Sequence, residues 1–375
     1  MLEPTIWAEI DTNAIRNNIC ELKRITKPEA NFMAVVKADG YGHGAVEISR
    51  IALDCGADML GVARIGEAIS LREKGIDCPI LIFGYTIPAN TCDLIHYNLT
   101  QTVYDLASAK EYSALAAPRT LKMHLKIDTG MGRLGLFHHP DLGRSAVEEA
   151  AAIAGLPYLL VEGVYTHFAA SDTSDKTYAE LQFNRFRNLL DSLEKRGVSL
   201  GIRHAANSGA IIDMPQTHLD MVRAGIAMYG LNPSMEVNLS KVKLLPAMSV
   251  KAVVAHVKSV PKGARISYGM TYEAKGVETI ASIPVGYADG YNRLFSNMGH
   301  MLVRGQKAPV AGRVCMDQTM LNVTGINGVE KGEKVVIMGK DGVNTISADD
   351  LAQKLGTINY EIVTSVMARV PRVFL

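Results

Sequence analysis

Ala34-Val35-Val36-Lys37-Ala38-Asp39-Gly40-Tyr41-Gly42-His43-Gly44 is the stretch from which the rest of the chain is read. The apolar run Phe32–Val36 reads as a buried strand, and Lys37 stands at its end. Three glycines and a tyrosine follow, and a helical pattern opens at Ala45. The carboxyl end of a buried strand is a poor place for an ammonium, because desolvation lowers its pKa. That is useful if the amine must form a Schiff base. The alternative, a side chain that snorkels to solvent, is the commoner outcome for this stretch alone. The remainder of the chain reverses that preference.

Working outward, apolar strand-like runs alternate with amphipathic helical segments from Asp11 onward, Asp11 being a candidate N-cap for the first helix. Strands are expected at Phe32–Val36, Met59–Ala63, Ile80–Phe83, Thr100–Tyr104, Leu121–Ile127, Leu159–Phe168, Ile202–Ala205 and Leu219–Val222. Helix patterns such as Val46–Leu53 and Leu181–Lys195 separate most of them. Eight such units imply a closed (β/α)8 barrel of the TIM type. After about Leu231 the rhythm changes to short β-branched runs: Val250–Val260, Ile280–Val285, Met301–Val303, Pro309–Arg313, Met320–Val323 and Lys334–Met338. One helix is expected there, at Ala348–Leu355. The expected organisation is an α/β barrel domain over 1–238 and a mostly-β domain over 239–375, with residues 1–10 open to pairing with the second.

A chain of 375 residues suits two domains. It is 48% hydrophobic and 21% charged with a net charge of +1, which describes a globular protein and gives no electrostatic case for nucleic acid or an anionic membrane. Glu3, Glu9 and Asp11 near the start do not resemble a signal peptide, and no apolar run reaches transmembrane length. Cys20, Cys55, Cys78, Cys92 and Cys315 contain no C-x-x-C pair and read as free thiols of a cytoplasmic protein. No zinc-ligand spacing occurs, and His138-His139 reads as exposed loop.

In a parallel barrel, function gathers at the strand ends. Those ends carry Lys37, Arg64, Lys126 to Arg133, His167, Asn207-Ser208-Gly209 and Arg223-Ala224-Gly225-Ile226. The small, Gly-containing loops after the last two strands suit phosphate, with Ser208 and Tyr41 adding hydroxyl donors; an ordinary turn is the alternative for Asn-Ser-Gly. Gly130-Met131-Gly132-Arg133-Leu134-Gly135 has the form G-x-G-x-x-G, but the next helix signal begins only after Pro140. That is too late for a dinucleotide fingerprint. Arg223 stands at a strand end where an ion pair is the plain alternative, and His167 by itself suits a core histidine.

Lys37-Ala38-Asp39-Gly40-Tyr41-Gly42-His43-Gly44 resembles the cofactor-lysine motif of the alanine racemases, which depend on pyridoxal phosphate. The likeness runs from Trp7 to Arg369-Val370-Pro371-Arg372-Val373 and takes in Ser267-Tyr268-Gly269, Gly286-Tyr287-Ala288-Asp289-Gly290 and Cys315-Met316-Asp317-Gln318. Ala224 departs from it, standing where many members have proline. The resemblance implies Lys37 and Tyr268 as two opposed catalytic bases. It implies cofactor binding by Lys37, Tyr41, His167, Asn207, Ser208, Arg223, Gly225, Ile226 and Tyr360. Arg223 would face the cofactor's ring nitrogen, and a cation about 4 Å away is worth roughly 4 kcal/mol at an effective dielectric near 20. Arg133 would clamp the substrate carboxylate, with Met316 meeting it through backbone and Tyr287 narrowing the entrance. Lys126 would be carbamylated to hold Arg133, and Asp172, Arg293 and Arg313 would line an outer gate. An ordinary tyrosine is only about 0.1% ionised at pH 7, so Tyr268 would need a nearby cation, supplied by His167 backed by Arg223.

The activity so implied is interconversion of L- and D-alanine, supplying D-alanine for cell-wall peptidoglycan, in a homodimer whose subunits share their sites. The alternatives are a racemase of another amino acid, such as serine or lysine, and a non-catalytic binder of pyridoxal phosphate built as a lone barrel. Tyr268 and its β-domain argue against the last. A decarboxylase of basic amino acids shares the two-domain plan, but Cys-Met-Asp-Gln does not resemble its Cys-Asp motif.

Overall fold

The computed structural model describes residues 3–375. All eight expected barrel runs form strands: Asn31–Val35, Met59–Val62, Ile80–Ile82, Thr100–Val103, Leu121–Asp128, Leu159–Tyr165, Ile202–His204 and Met221–Ala224. Each pairs in parallel with the next. The last pairs with the first, Met221 opposite Asn31, and closes the ring. Most positions on these strands are buried, because helices cover the outside while side chains fill the inside. Met33, Met59, Leu81, Tyr165 and Met221 pack together within the ring; burial of one such side chain is worth roughly 1.5–3 kcal/mol. Outside it, Ala45–Asp54 buries Ile48, Ile51 and Ala52, and Thr177–Glu194 buries Phe183, Phe186, Leu190 and Leu193. Those spacings put each set on one helical face.

The chain divides into two compact units, Ala14–Gly40 with Ala45–Leu245, and Met1–Asn13 with Tyr41–Gly44 and Pro246–Leu375. The second unit is built on a seven-stranded sheet in which Ile6–Ile10 lies between Met248–Val253, antiparallel, and Arg372–Phe374, parallel. A three-stranded sheet (His256–Val260, Glu278–Ile283, Thr319–Asn322) and a hairpin (Arg265–Ile266, Tyr272–Glu273) complete it.

Several expectations need correcting. Val250–Val260 is two strands belonging to different sheets, parted at Val254-Ala255. Pro309–Arg313 is the end of a strand, Gln306–Pro309, followed by a single bridge at Val310. A second helix, Asn359–Thr364, follows the expected Ala348–Leu355. The eighth barrel strand begins at Met221 because Leu219 is left-handed (φ 50°), so Arg223 lies inside the strand and is buried.

Candidate functional site

After the first barrel strand the backbone makes a left-handed turn. Ala38 (φ 52°, ψ 51°), Asp39 (φ 53°, ψ 50°), Gly40 (φ 60°, ψ 44°) and Tyr41 (φ 52°) all take positive φ. Three of these are not glycine, and the left-handed form costs roughly 1–2 kcal/mol for each such residue. Carboxylates offset the cost. Glu67 accepts the Ala38 N–H at 2.7 Å through one oxygen, and the Ala63 and Arg64 N–H groups at 2.7 and 3.0 Å through the other. Asp39 accepts the Ala45 N–H at 2.8 Å, at the start of the helix Ala45–Asp54. Strain kept in place by its surroundings is characteristic of functional sites. Here it begins immediately after Lys37.

Lys37 is half-buried. Burial, and then the charge of Arg133, lower its pKa, while Glu67 acts the other way. A less basic amine is a better nucleophile at neutral pH and a usable base.

Deeper in the ring a chain of buried groups organises around Arg223. Its guanidinium donates to His204 Nδ1 (3.0 Å), to His167 Nδ1 (3.2 Å) and to the carbonyls of Thr166 (3.0 Å) and Ala205 (2.8 Å). Arginine has no acceptor, so both Nδ1 atoms must accept and both protons sit on Nε2. His204 Nε2 then donates to His124 Nδ1 at 2.9 Å. Burial followed by the Arg223 charge holds all three imidazoles neutral, with His124 lowered to about 3. Arg223 itself is lowered to about 10 by burial and stays charged at neutral pH. The expectation of a cationic His167 is therefore corrected: His167 is a neutral donor, and the cation is the arginine behind it. No ion pair involves Arg223 among the described residues.

Lys126 is buried beside this network with its Nζ 4.4 Å from the centre of the Tyr165 ring and no hydrogen-bond partner. Burial, then Arg223 and Arg133, lower its pKa well below the lysine range. Tyr165 stacks on His204 at 4.7 Å, bonds Thr102 through its hydroxyl at 2.9 Å, and is raised to about 12 by burial. Arg133 is exposed, on the loop after the fifth strand.

The loops after the seventh and eighth strands meet at Ser208. Its Oγ accepts the N–H groups of Gly225 (2.9 Å) and Ala227 (3.4 Å), so its own proton is left to donate. Asn207 accepts the Ala210 N–H and the Ser171 hydroxyl, and Asp172 packs against Gly209. Ile226 is buried at the head of the turn Ile226–Tyr229. A buried hydroxyl donor among backbone N–H groups suits a phosphate, and an amine of lowered basicity suits an aldehyde. The residues present therefore fit pyridoxal phosphate.

In the second unit, Tyr268 stands in the hairpin loop between Arg265–Ile266 and Tyr272–Glu273, where Ser267, Gly269 and Met270 have φ of 67°, 71° and 52°. Tyr268 is 72% exposed, and Met270, Tyr287 and Met316 are exposed with it. The Tyr287 and Ala288 N–H groups bond the carbonyls of Cys315 (3.1 Å) and Met316 (3.0 Å), and the Arg313 guanidinium lies over Gly269. The Ser296 hydroxyl donates to the Arg293 carbonyl (2.6 Å) and accepts the Val314 N–H (3.0 Å), tying the backbone at Arg293 to that just after Arg313. Tyr41 and Tyr360 have ring centres 6.2 Å apart. Gly42 (φ 82°) belongs to the same unit, and a Cβ there would meet the Val363 carbonyl at 2.3 Å.

The barrel unit thus holds Lys37, Lys126, Arg133, His167, Asp172, Asn207, Ser208, Arg223, Gly225 and Ile226, and the second unit holds Tyr41, Tyr268, Tyr287, Arg293, Arg313, Met316 and Tyr360. Sequence reasoning missed His124, His204, Tyr165 and Glu67. Polar residues inside otherwise apolar strand runs were the available signal for the two histidines. His138 and His139 are buried, not exposed, because the short strand Leu136–Phe137 returns onto the barrel and carries them with it.

Two family models match the chain: the alanine racemase N-terminal domain over residues 10–233, and the alanine racemase C-terminal domain over residues 247–374. The chain is 50% identical to the alanine racemase of Methanococcus maripaludis, covering 100% of both chains. It is 53% identical to that of Desulfosudis oleivorans, covering 98% of this chain and 96% of that one. Among solved structures, the alanine racemase of Clostridium difficile 630 matches with a TM-score of 0.95 at 38% identity, over 100% of this chain and 97% of that one. The Bacillus anthracis alanine racemase with bound L-Ala-P matches with 0.94 at 39% identity, over 100% and 96%.

Proposed function

The chain belongs to the alanine racemase family, and on that premise we propose how its residues interconvert L- and D-alanine with pyridoxal phosphate as cofactor. It is an isomerase. The single observation that carries the residue assignment is Lys37, an amine of lowered basicity presented by a strained turn at the end of a barrel strand.

Racemisation removes the α-proton from one face and returns one to the other, which calls for two bases on opposite sides. When bound, the cofactor supplies the electron sink for the carbanion left between those transfers. Lys37 would hold it and, once released by the incoming amino group of the substrate, would exchange the α-proton on one face; Tyr268 of the partner subunit would exchange it on the other. The Ser208 hydroxyl, the backbone at Gly225 and Ile226, and Asn207 would take the phosphate, and the family resemblance assigns the same role to Tyr41 and Tyr360. Arg223 would face the ring as a cation where most enzymes of this cofactor place a carboxylate, which would weaken the sink and discourage side reactions. His167, whose Nδ1 is taken up by Arg223, has its Nε2–H left to donate, and we assign that donor to the Tyr268 oxygen of the partner subunit. Arg133 binds the substrate carboxylate with the Met316 backbone, and Tyr287 narrows the way in. Asp172, Arg293 and Arg313 form an outer gate.

We further propose that Lys126 is carbamylated. A neutral, buried amine without a partner is the form that adds carbon dioxide, and the anion formed would be held by the cations that now depress it. We propose a homodimer because Tyr268, Met270, Tyr287 and Met316 leave much apolar surface exposed. Among the described residues no helix is long and apolar enough to cross a membrane. The D-alanine formed is of the kind peptidoglycan synthesis consumes.

The test is subunit complementation. Lys37→Ala and Tyr268→Phe, each nearly inactive, are unfolded and refolded together in equal amounts. Random pairing gives about half heterodimers, each with one site carrying both changes and one carrying neither. Roughly a quarter of wild-type racemisation should return. Heterodimers verified by tag pull-down but without activity would reject the shared site.

A further inference from the structure

We propose that Asp128 is the positioning residue of the substrate-carboxylate clamp, its carboxylate holding the loop that presents Arg133. The inference rests on the reading of Arg133 as that clamp.

Asp128 closes the fifth barrel strand and is buried. One of its carboxylate oxygens accepts three successive backbone N–H groups, from Gly130 (2.9 Å), Met131 (2.9 Å) and Gly132 (3.1 Å). Consecutive N–H groups turned onto one anion form a concave nest. Bonds to an ionised acceptor are roughly twice as strong as neutral ones. The next residue is Arg133.

The loop also returns to its origin. Leu136–Phe137 pairs in parallel with Ile127–Asp128. Gly135 (φ 140°) lies so close to the strand that a Cβ would sit 2.4 Å from the Asp128 nitrogen. Arg133 is therefore carried on a short closed loop with Asp128 at both its base and its centre. From outside, Arg185 donates to the Thr129 carbonyl (2.8 Å), Tyr178 donates to the Gly130 carbonyl (2.9 Å), and the Thr129 hydroxyl bonds that of Thr166 (2.8 Å). These outer contacts reach only Thr129 and Gly130. Among the described residues, Asp128 is what accepts from Met131 and Gly132, the residues that lead into Arg133.

The side chain of Arg133 makes no ion pair among the described residues. A long, exposed, unpaired side chain takes its direction from its backbone, and ordering it costs rotamer entropy. A clamp for a three-carbon substrate tolerates little error, since about 1 Å of misplacement can cost roughly a hundredfold in rate. Asp128 constrains that backbone, a separate restraint from the side-chain partner that a carbamylated Lys126 would give Arg133. A plain turn-stabilising aspartate would lower stability when removed and leave carboxylate affinity alone.

The holoenzyme is compared as wild type, Asp128→Ala, Asp128→Asn and Arg133→Gln. Calorimetry with propionate, which has the carboxylate and methyl of alanine but no amine, is set beside KM and kcat for alanine and the melting curve. Asp128→Ala is expected to weaken propionate about tenfold and to lower kcat/KM for alanine by roughly ten- to a hundredfold. Asp128→Asn keeps an acceptor oxygen without the charge and should fall between; if the alanine variant does not fold, a several-fold loss in the asparagine variant supports the positioning role in its place. Unchanged propionate affinity in the Asp128 variants, with binding abolished in Arg133→Gln, would reject the positioning role and leave the clamp standing, whether or not the variants melt lower. Unchanged affinity in Arg133→Gln would instead overturn the clamp itself, and this inference with it.

Discussion

Removing the Ser208 hydroxyl should weaken cofactor binding by an amount the geometry sets. Its oxygen already accepts from Gly225 N–H at 2.9 Å and Ala227 N–H at 3.4 Å, so its single proton is what it can offer a phosphate. A hydrogen bond to a charged group is worth about 1.5–3 kcal/mol. Ser208→Ala deletes that bond, and it leaves the two N–H groups without their acceptor. A bound phosphate can recover the second loss by accepting from them, so the first sets the expected effect. At about 1.4 kcal/mol per factor of ten, the dissociation constant should rise roughly 10- to 150-fold. The assay strips the cofactor with hydroxylamine and titrates the apoprotein with pyridoxal phosphate by absorbance. A parallel titration uses pyridoxal, which keeps the aldehyde and lacks the phosphate. The variant should lose affinity for the first and keep it for the second. Equal loss for both, or no loss, would refute the phosphate role of Ser208.

Two further outcomes follow from the charge cluster in the barrel. Carbamylation of Lys126 should give a protein-bound carbon-13 signal in labelled bicarbonate at neutral pH, absent in Lys126→Ala; no signal in the wild type would count against it. Arg133 is one of the charges lowering the Lys37 pKa, so Arg133→Gln should raise it. The apoprotein's rate of capturing pyridoxal phosphate, which needs the neutral amine, should then rise at a higher pH than in wild type. A profile that stays put or moves downward contradicts that origin of the shift.

Much of the barrel is legible in the sequence. Phe32–Val36 and Ile80–Phe83 are apolar runs of strand length, bounded by turn residues and followed by helical periodicity, and such signals lie within a dozen residues of one another. Lys37, Ser208 and Arg223 stood out because each ends or adjoins such a run. The second unit was less legible. Val250–Val260 reads as one long strand because β-branched residues continue through the point where the chain changes sheets. The helix carrying Tyr360 is only Asn359–Thr364, too short for periodicity to reveal.

The sequence by itself determined the order of the barrel's strands, the strand-end positions of the chemistry-bearing residues and, by resemblance, the family. Tertiary structure alone decided their electrical state. His124 and His204 are 80 residues apart in the chain, and Arg223 and His167 are 56 apart, yet each pair shares a hydrogen bond. Which histidine is neutral, and on which nitrogen its proton sits, depends on an arginine brought across the barrel, because arginine can only donate. The same holds for Lys126, an ordinary lysine in sequence, which closure of the ring leaves buried among cations without a partner. Periodicity is a local property that the chain carries with it, whereas desolvation and Coulomb interaction depend on distances that exist only after the ring has closed.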